Sequence, residues 1–446
     1  MSRSIFGTDG IRGRVGQFPI TPDFCLRLGW AVGKVFGKEK DCHVLIGKDT
    51  RISGYMMESV LESGLSSAGV DVTLLSVMPT PAIAYLTRTL RADAGIVISA
   101  SHNPYYDNGI KFFDGFGNKL NDATEKEIEF ALDGDLTCVD SKDLGKVSRL
   151  EASNGRYIEF CKATVDRALS FNGLKLVVDC ANGANYHVGP KIFEELGAEV
   201  ISIGVDPNGT NINYQCGSTY PAMLSEEVIK QNADAGIAFD GDGDRVIMVN
   251  ELGEIVDGDE ILYIIACDRL RKNTLGGGIV GTMMTNQGLE RALSSLGVPF
   301  VRADVGDRYV LELLREQGWS LGGETSGHII CHDISATGDG IVAALQVVAS
   351  MVVEGKRLSQ LTEGFIKSPQ VLKNVACEGL TENILDSKYI AEALDSKTHD
   401  LAGKGRIVLR KSGTESVIRI MVEGEDMESI TSVADDLAKT IQENAG

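Results

Sequence analysis

Short apolar runs, each bounded by glycine, serine or proline, recur along the chain with longer helical stretches between them. Such runs read as buried strands that end in loops. The first round has strands at 44–47, 70–77 and 95–98 and a helix over 55–68. A second round opens at 175–179 and continues through 198–203, 236–240 and 246–249. A third begins at 278–283, followed by a helix over 287–296. Strands alternating with helices of this length predict doubly wound α/β sheets, in which the working loops sit at the carboxyl ends of the strands. The tail departs from this rhythm: 406–410, a turn, 417–422 and an amphipathic run over 427–443 predict an antiparallel pair plus a helix. Polar, charged stretches near 135–155 and 366–372 read as linkers, with a weaker boundary near 253. The predicted fold class is α/β. Three successive doubly wound α/β domains, over 1–152, 153–253 and 254–368, are expected with a smaller C-terminal α+β domain over 369–446, around a central cleft.

Two loops stand out at the ends of these strands. Gly95-Ile-Val-Ile-Ser-Ala-Ser-His-Asn-Pro104 places Ser101 just past one apolar run, and Asp240-Gly-Asp-Gly-Asp-Arg245 places three carboxylates just past another. The same five residues, Ala-Asp-Ala-Gly-Ile, lead into both, at 92–96 and 233–237, so the two strands are expected to be equivalent. The acidic loop mimics a calcium loop, with Glu251 at the twelfth position, but Arg245 stands sixth, where an EF-hand needs glycine. Its flanks also read as strands, not helices. The better reading is a tight loop whose glycines let Asp240, Asp242 and Asp244 converge on one hard cation. An all-oxygen site with room for a phosphoryl oxygen suits Mg²⁺; a solvated acidic turn is the plain alternative. Ser101 by itself would be a turn residue or a helix cap. Facing three carboxylates, it suggests phosphoryl chemistry with a divalent metal between them. His102 is expected to diverge from it, as adjacent side chains in an extended loop do.

Composition narrows the partners. The 446 residues carry a net charge of −20, which argues against nonspecific nucleic-acid binding and against an anionic membrane surface. Nine scattered cysteines with no C-x-x-C pair favour reduced thiols in a cytoplasmic setting. No apolar stretch is long enough to span a bilayer. A phosphorylated substrate is itself an anion, so its site must be a local basic pocket inside this acidic envelope. Arg410-Lys-Ser-Gly-Thr-Glu415 with Arg419 supplies one, since backbone N–H groups, hydroxyls and guanidiniums can surround a phosphate; a solvated turn between two strands is the alternative. Gly322-Gly-Glu-Thr-Ser-Gly-His328 offers a carboxylate, a hydroxyl and an imidazole from one loop, an inventory that fits sugar hydroxyls. His328, Cys331 and His332 lack a fourth ligand and are discounted as a metal cluster. Gly276-x-Gly278-x-x-Gly281 precedes a strand, the wrong context for a dinucleotide loop.

Taken together, these segments resemble the α-D-phosphohexomutase family over essentially the whole chain and in the family's order: serine loop 99–104, metal loop 240–245, sugar loop 323–328 and phosphate loop 410–419. Phe6-Gly-Thr-Asp-Gly-Ile-Arg-Gly13, Tyr106-Asp-Asn-Gly-Ile-Lys-Phe-Phe113, Asp206-Pro-Asn-Gly209 and Asn211-Ile-Asn213 are similar to the bacterial branch that acts on an amino sugar. The resemblance implies interconversion of glucosamine 6-phosphate and glucosamine 1-phosphate through a phosphoserine enzyme and a 1,6-bisphosphate intermediate, feeding amino-sugar and cell-wall precursor synthesis. Glucose or mannose phosphates are the alternative substrates, and a noncatalytic sugar-phosphate sensor the remote one. It further implies that Ser101, Asp240, Asp242 and Asp244 surround one Mg²⁺ and that a hexosamine 1,6-bisphosphate acts as activator. Arg12 and Lys111 would orient or deprotonate the attacking hydroxyl, with His328 as an alternate acid or base, and Arg245 would neutralise the transferring group. Glu324, Ser326 and His328 would read the sugar, and Arg410, Ser412, Gly413, Thr414 and Arg419 the distant phosphate. Two departures stand out. Thr325 occupies a place where that branch often has Gln, and Ser416 replaces the usual Pro. The expected partner is a small sugar phosphate, without nucleic acid or membrane, and a homodimer is left open.

Overall fold

The repeated Ala-Asp-Ala-Gly-Ile segment explains how the chain builds two sheets on one plan. In the computed structural model, which describes residues 5–7, 9–38, 41–376, 387–401, 404–411 and 417–444, the repeat enters the strands Ala94–Ile98 and Ala235–Phe239. Its aspartate does the same work twice. Asp93 Oδ2 accepts the N–H of His43 at 2.8 Å, and Asp234 Oδ2 accepts that of Lys175 at 2.8 Å, so each secures the start of the neighbouring parallel strand. Its glycine lets a helix pack directly onto the strand. A Cβ at Gly95 would stand 2.2 Å from Thr87 Oγ1, and one at Gly236 2.7 Å from Val228 Cγ2.

Each of these strands has a parallel neighbour on one side and an antiparallel hairpin partner on the other. Ala94–Ile98 lies between His43–Lys48 and Asp107–Asp114; Ala235–Phe239 lies between Lys175–Asp179 and Val246–Asn250. Both are buried along their whole length, as strands covered by helices on both faces must be. The first sheet has six strands, in the order Ile11–Arg14, Asp107–Asp114, Ala94–Ile98, His43–Lys48, Asp71–Val77, Val147–Arg149, and the second has five, from Ile255–Val256 to Glu199–Ile203. They are mixed rather than wholly parallel, because the chain returns by hairpin immediately after each working loop.

The chain divides into two compact units, one of Met1–Val280 with Gly306–Glu363 and the other of Gly281–Val305 with Gly364–Gly446. In the first, Leu321–Gly323 pairs in parallel with Ile279 and Val280 and antiparallel with Ile329–Cys331. In the second, Gln370–Ala376, Val417–Glu423 and Arg406–Lys411 form an antiparallel sheet with Val417–Glu423 in the middle, and its core closes on the helix Met427–Asn444 through Ile418, Ile420, Ile430 and Leu437. The stretch 366–372, expected as a linker, runs into the edge strand of this sheet: alternation of exposed and inward residues along a solvated edge hides the apolar run that would have marked it. Within 135–155, likewise expected to link, Val147–Arg149 adds a short exposed edge strand to the first sheet. The eight described cysteines are all free thiols, and no described helix is long and apolar enough to cross a membrane.

Asp179 ends a central strand and shapes the loop beyond it, accepting the N–H groups of Ala181 at 2.9 Å and Gly217 at 2.7 Å. Burial pushes its carboxyl up to about 6, against the pull of those two donors. A carboxyl raised in the folded state binds its proton more tightly there than in the unfolded chain. Stability therefore falls as pH rises from about 4 through about 6. Asp179→Asn should remove a slope of order 2–3 kcal/mol across that window, checked by comparing denaturation of the two proteins from pH 4 to pH 7; parallel profiles would refute the assignment.

Candidate active site

Ser101 sits one turn beyond the strand Ala94–Ile98 in the left-handed region, at φ +53°, and is 1% exposed. Its Oγ donates to Asp240 Oδ2 at 2.6 Å. The two loops that the sequence placed about 140 residues apart thus meet through one hydrogen bond. The approach needs glycine at 241, where a Cβ would stand 2.6 Å from the Ser101 carbonyl oxygen. His102 Nδ1 lies 3.4 Å from Ser101 Oγ, so the neighbouring side chains do not diverge as expected. The left-handed turn at Ser101, absent from an extended loop, swings them to the same side. Burial, then Arg245 and Arg12, hold His102 down to about 4, so it stays neutral.

The acidic loop is a tight turn between antiparallel strands, which excludes the helix-flanked calcium loop. Glu251, the apparent twelfth ligand of such a loop, instead accepts from Ser359 Oγ at 2.5 Å. Two helix starts grip the turn by its backbone: Thr80 N donates to the Asp242 carbonyl at 2.9 Å and Gly340 N to that of Gly243 at 3.1 Å. Asp240 Oδ1 accepts the N–H groups of Gly243 and Arg245 at 3.0 and 3.2 Å. Asp242 Oδ2 takes the Thr80 hydroxyl at 2.6 Å and Lys111 Nζ at 2.8 Å, and Asp244 Oδ2 takes Lys111 at 3.1 Å. Three carboxylate oxygens, one from each aspartate, lie within 4.8 Å of one another. Asp242 Oδ1 and Asp244 Oδ1 are buried with no hydrogen-bond partner. Two carboxylate oxygens without a hydrogen bond, the second of them faced by His328 at 3.6 Å, fit a hard divalent cation in an all-oxygen cluster. Burial, then Asp244 and Asp242, push Asp240 well above the usual carboxylate range, the strain that a bound cation relieves.

A chain of buried charges surrounds the loop. Lys111 also reaches Asp9 Oδ2 at 3.0 Å, Lys119 bridges Asp9 Oδ1 and Asp307 Oδ2 at 2.5 Å each, and Arg12 pairs with Asp9. His328 lies between Asp244 Oδ1 at 3.6 Å and Asp307 Oδ2 at 3.4 Å. Burial would lower His328, but Asp244 and Asp307 outweigh it and hold the ring up to about 9. Burial likewise opposes the charge on Lys111, and Asp242, Asp244 and Asp9 together drive it well above its ordinary value. Asp9, Asp240, Asp242, Asp244 and Asp307 are thus nearly balanced by Arg12, Lys111, Lys119, Arg245 and protonated His328. A divalent cation added to such a cluster leaves surplus positive charge suited to a phosphate, which carries about −1.5 to −2 at neutral pH.

Of the sugar loop, Glu324 is buried and accepts the N–H of Gly306 at 3.1 Å, while Ser326 is exposed. Thr325 turns its hydroxyl to Asp259 Oδ2 at 2.9 Å. In the second unit, Arg410 and Arg419 stand opposite each other across the pair Arg406–Lys411 and Val417–Glu423. Ser412, Gly413, Thr414 and Ser416 lie outside the described residues. Sequence reasoning missed Asp9, Thr80, Lys119 and Asp307. Asp9 falls inside the quoted segment 6–13 but had no local partner to give it a role; the other three carry no motif at all.

Family models described as Phosphoglucomutase/phosphomannomutase match the chain in four stretches. The alpha/beta/alpha domains I, II and III match residues 3–135, 155–253 and 257–368, and the C-terminal domain matches 372–440. Phosphoglucosamine mutases of Azotobacter vinelandii and Aeromonas salmonicida are each 58% identical over 443 residues, covering 99% of this chain and 99% of theirs. Among solved structures, a phosphoglucomutase/phosphomannomutase family protein from Burkholderia thailandensis shares the fold with a TM-score of 0.82 at 24% identity, over 100% of this chain and 98% of its own. Aspergillus fumigatus N-acetylphosphoglucosamine mutase, solved with GlcNAc-6P and magnesium, does so at 0.67 and 18%, over 99% and 96%.

The Thr80 hydroxyl and Lys111 hold Asp242 by Oδ2, which leaves its Oδ1 buried without a hydrogen bond. Thr80→Val, which keeps the shape and removes the hydroxyl, should weaken binding of a divalent cation by roughly tenfold or more, read with Mn²⁺ by isothermal titration calorimetry. Unchanged affinity would show that Asp242 is oriented without it.

Proposed function

This chain belongs to the phosphoglucomutase/phosphomannomutase family, and from that premise we propose that it interconverts glucosamine 6-phosphate and glucosamine 1-phosphate. The observation that carries the chemistry is the buried Ser101 hydroxyl, 2.6 Å from Asp240 in a cluster of three carboxylates. Relatives 58% identical over the whole chain, named phosphoglucosamine mutases, support the choice of sugar.

In this reading Ser101 carries the phosphoryl group in the resting enzyme. The substrate's free hydroxyl attacks phosphorus as the bond from phosphorus to the Ser101 oxygen breaks; the proton lost by that hydroxyl balances the one Ser101 regains. The product of this half-reaction is a hexosamine 1,6-bisphosphate, which turns over in place and returns its other phosphoryl group to Ser101. A Mg²⁺ held by Asp240, Asp242 and Asp244 would neutralise charge on the serine phosphate. Lys111, kept protonated by three carboxylates, orients and neutralises rather than accepting a proton. Arg12 and Arg245 offset the charge of the transferring group, and protonated His328 is the acid of the set. Glu324 and Ser326 read sugar hydroxyls. Arg410 and Arg419 are assigned to phosphate binding, together with Ser412, Gly413 and Thr414. The same reading divides the chain at 152, 253 and 368 and locates the enzyme in the cytoplasm.

Ser101→Ala should lower turnover by about 10³-fold or more while circular dichroism stays unchanged; full activity in that variant would end the proposal. Incubation of dephosphorylated protein with glucose 1,6-bisphosphate should add one phosphoryl group by intact mass, and none to Ser101→Ala. A site that hydrogen-bonds an amine discriminates strongly, so kcat/KM should favour glucosamine phosphates over glucose and mannose phosphates. Equal values would leave the family assignment and remove the amino sugar.

A further inference from the structure

We propose that Arg51 and Asn213 are positioning residues that clamp the Ser101 peptide, so that the serine oxygen stays aimed at the carboxylate loop while a phosphoryl group arrives and leaves. The two donors come from separate segments of the chain and grip the same two carbonyls. Arg51 Nη2 donates to Ser101 O at 3.2 Å and to Asn103 O at 2.5 Å. Asn213 Nδ2 donates to Ser101 O at 2.9 Å and to Asn103 O at 3.1 Å. Because both partners are acceptors, the orientation of the Asn213 amide is dictated.

The clamp is anchored on both sides. Arg51 is wholly buried and paired with Asp49. Asp49 Oδ2 also accepts the Ser99 hydroxyl at 2.5 Å, and Ser99 Oγ accepts the Ser101 N–H at 2.9 Å. The peptide groups on both sides of the Ser101 Cα are therefore tied to one buried array. Asn213 N donates to the Ala181 carbonyl at 2.9 Å, which fixes it to the second sheet's loops. Gly241, between the first two aspartates, packs so closely that a Cβ there would meet Ser101 O at 2.6 Å and Asn213 Nδ2 at 2.7 Å. The Ser101 carbonyl is thus the point where serine loop, acidic loop and clamp meet.

The need for a clamp follows from backbone and charge. Ser101 holds a φ of +53°, a conformation that non-glycine residues keep only where surroundings over-determine it. In the phosphorylated form the residue gains about −1.5 to −2 charges, which repel its own carbonyl dipole. A guanidinium and an amide on that carbonyl hold it away from the reacting phosphorus. Displacement of a reacting atom by about 1 Å can lower a rate by roughly 10²-fold.

This inference rests on the phosphoserine reading above, and its test separates the two. Phosphoryl transfer from glucose 1,6-bisphosphate to Ser101 is followed by intact mass in single-turnover experiments on the full chain, beside steady-state kcat and KM. Asn213→Ala should slow transfer and kcat by about tenfold, with KM within twofold of the parent. Asn213→Asp, nearly isosteric, removes the donors and turns a carboxylate oxygen on two carbonyls, so it should be slower than Asn213→Ala; a packing role predicts the opposite order. Arg51→Lys, which keeps the charge against Asp49 but loses the planar fork, should repeat the kcat loss. Unchanged rates, an Asp variant as fast as the Ala variant, a KM that moves with kcat, or a loss of fold in place of a loss of rate would each overturn the clamp. If the parent enzyme takes no phosphoryl group on Ser101, the phosphoserine reading fails instead.

Discussion

Three aspartate oxygens within 4.8 Å of one another in a buried loop are the constraint around which the site is arranged. At that spacing two like charges repel by about 3 kcal/mol at an effective dielectric near 20. The loop holds its shape because every available donor is turned on it: the Thr80 and Ser101 hydroxyls, the Gly243 and Arg245 N–H groups and the Lys111 ammonium. These donors leave Asp242 Oδ1 without a hydrogen bond and Asp244 Oδ1 faced by His328 at 3.6 Å. Binding of a cation is thereby coupled to the position of the serine, since Asp240 is shared between the crowded cluster and the Ser101 hydroxyl.

The same crowding sets the roles of the cations. A lysine buried in apolar surroundings loses its proton readily, but Lys111 is buried among Asp9, Asp242 and Asp244 and keeps it. His328, between Asp244 and Asp307, is charged for the same reason. The site is therefore rich in fixed positive charge and poor in groups ready to accept a proton, which suits phosphoryl transfer, where positioning and charge neutralisation contribute more than covalent chemistry.

Equivalence of the two working strands follows from packing. Ala94–Ile98 and Ala235–Phe239 each follow an aspartate that secures a neighbouring strand and carry a glycine that admits a helix. Each ends in a loop that precedes an antiparallel return. The net charge of −20 is not felt at the site as such, because the buried carboxylates there are matched locally by Arg12, Lys111, Lys119, Arg245 and protonated His328.

Local signals in the chain carried the alternation of strands and helices, the exclusion of a calcium loop and the placing of Ser101 and the three aspartates in loops at strand ends. Each depends on neighbours in sequence: an apolar run and its breakers, glycines spaced between carboxylates, an arginine where a turn would need glycine. The resemblance of four ordered segments added the family. The strand Gln370–Ala376 stayed hidden because a solvated edge gives no apolar run, and the bend that brings His102 beside Ser101 depends on one left-handed residue. Asp9, Asp307, Lys119, Arg51 and Asn213 belong to the site through partners from 21 to 188 residues away. A charge or an amide has no visible role in sequence until the fold supplies the group it faces, and that pairing was decided by the tertiary structure.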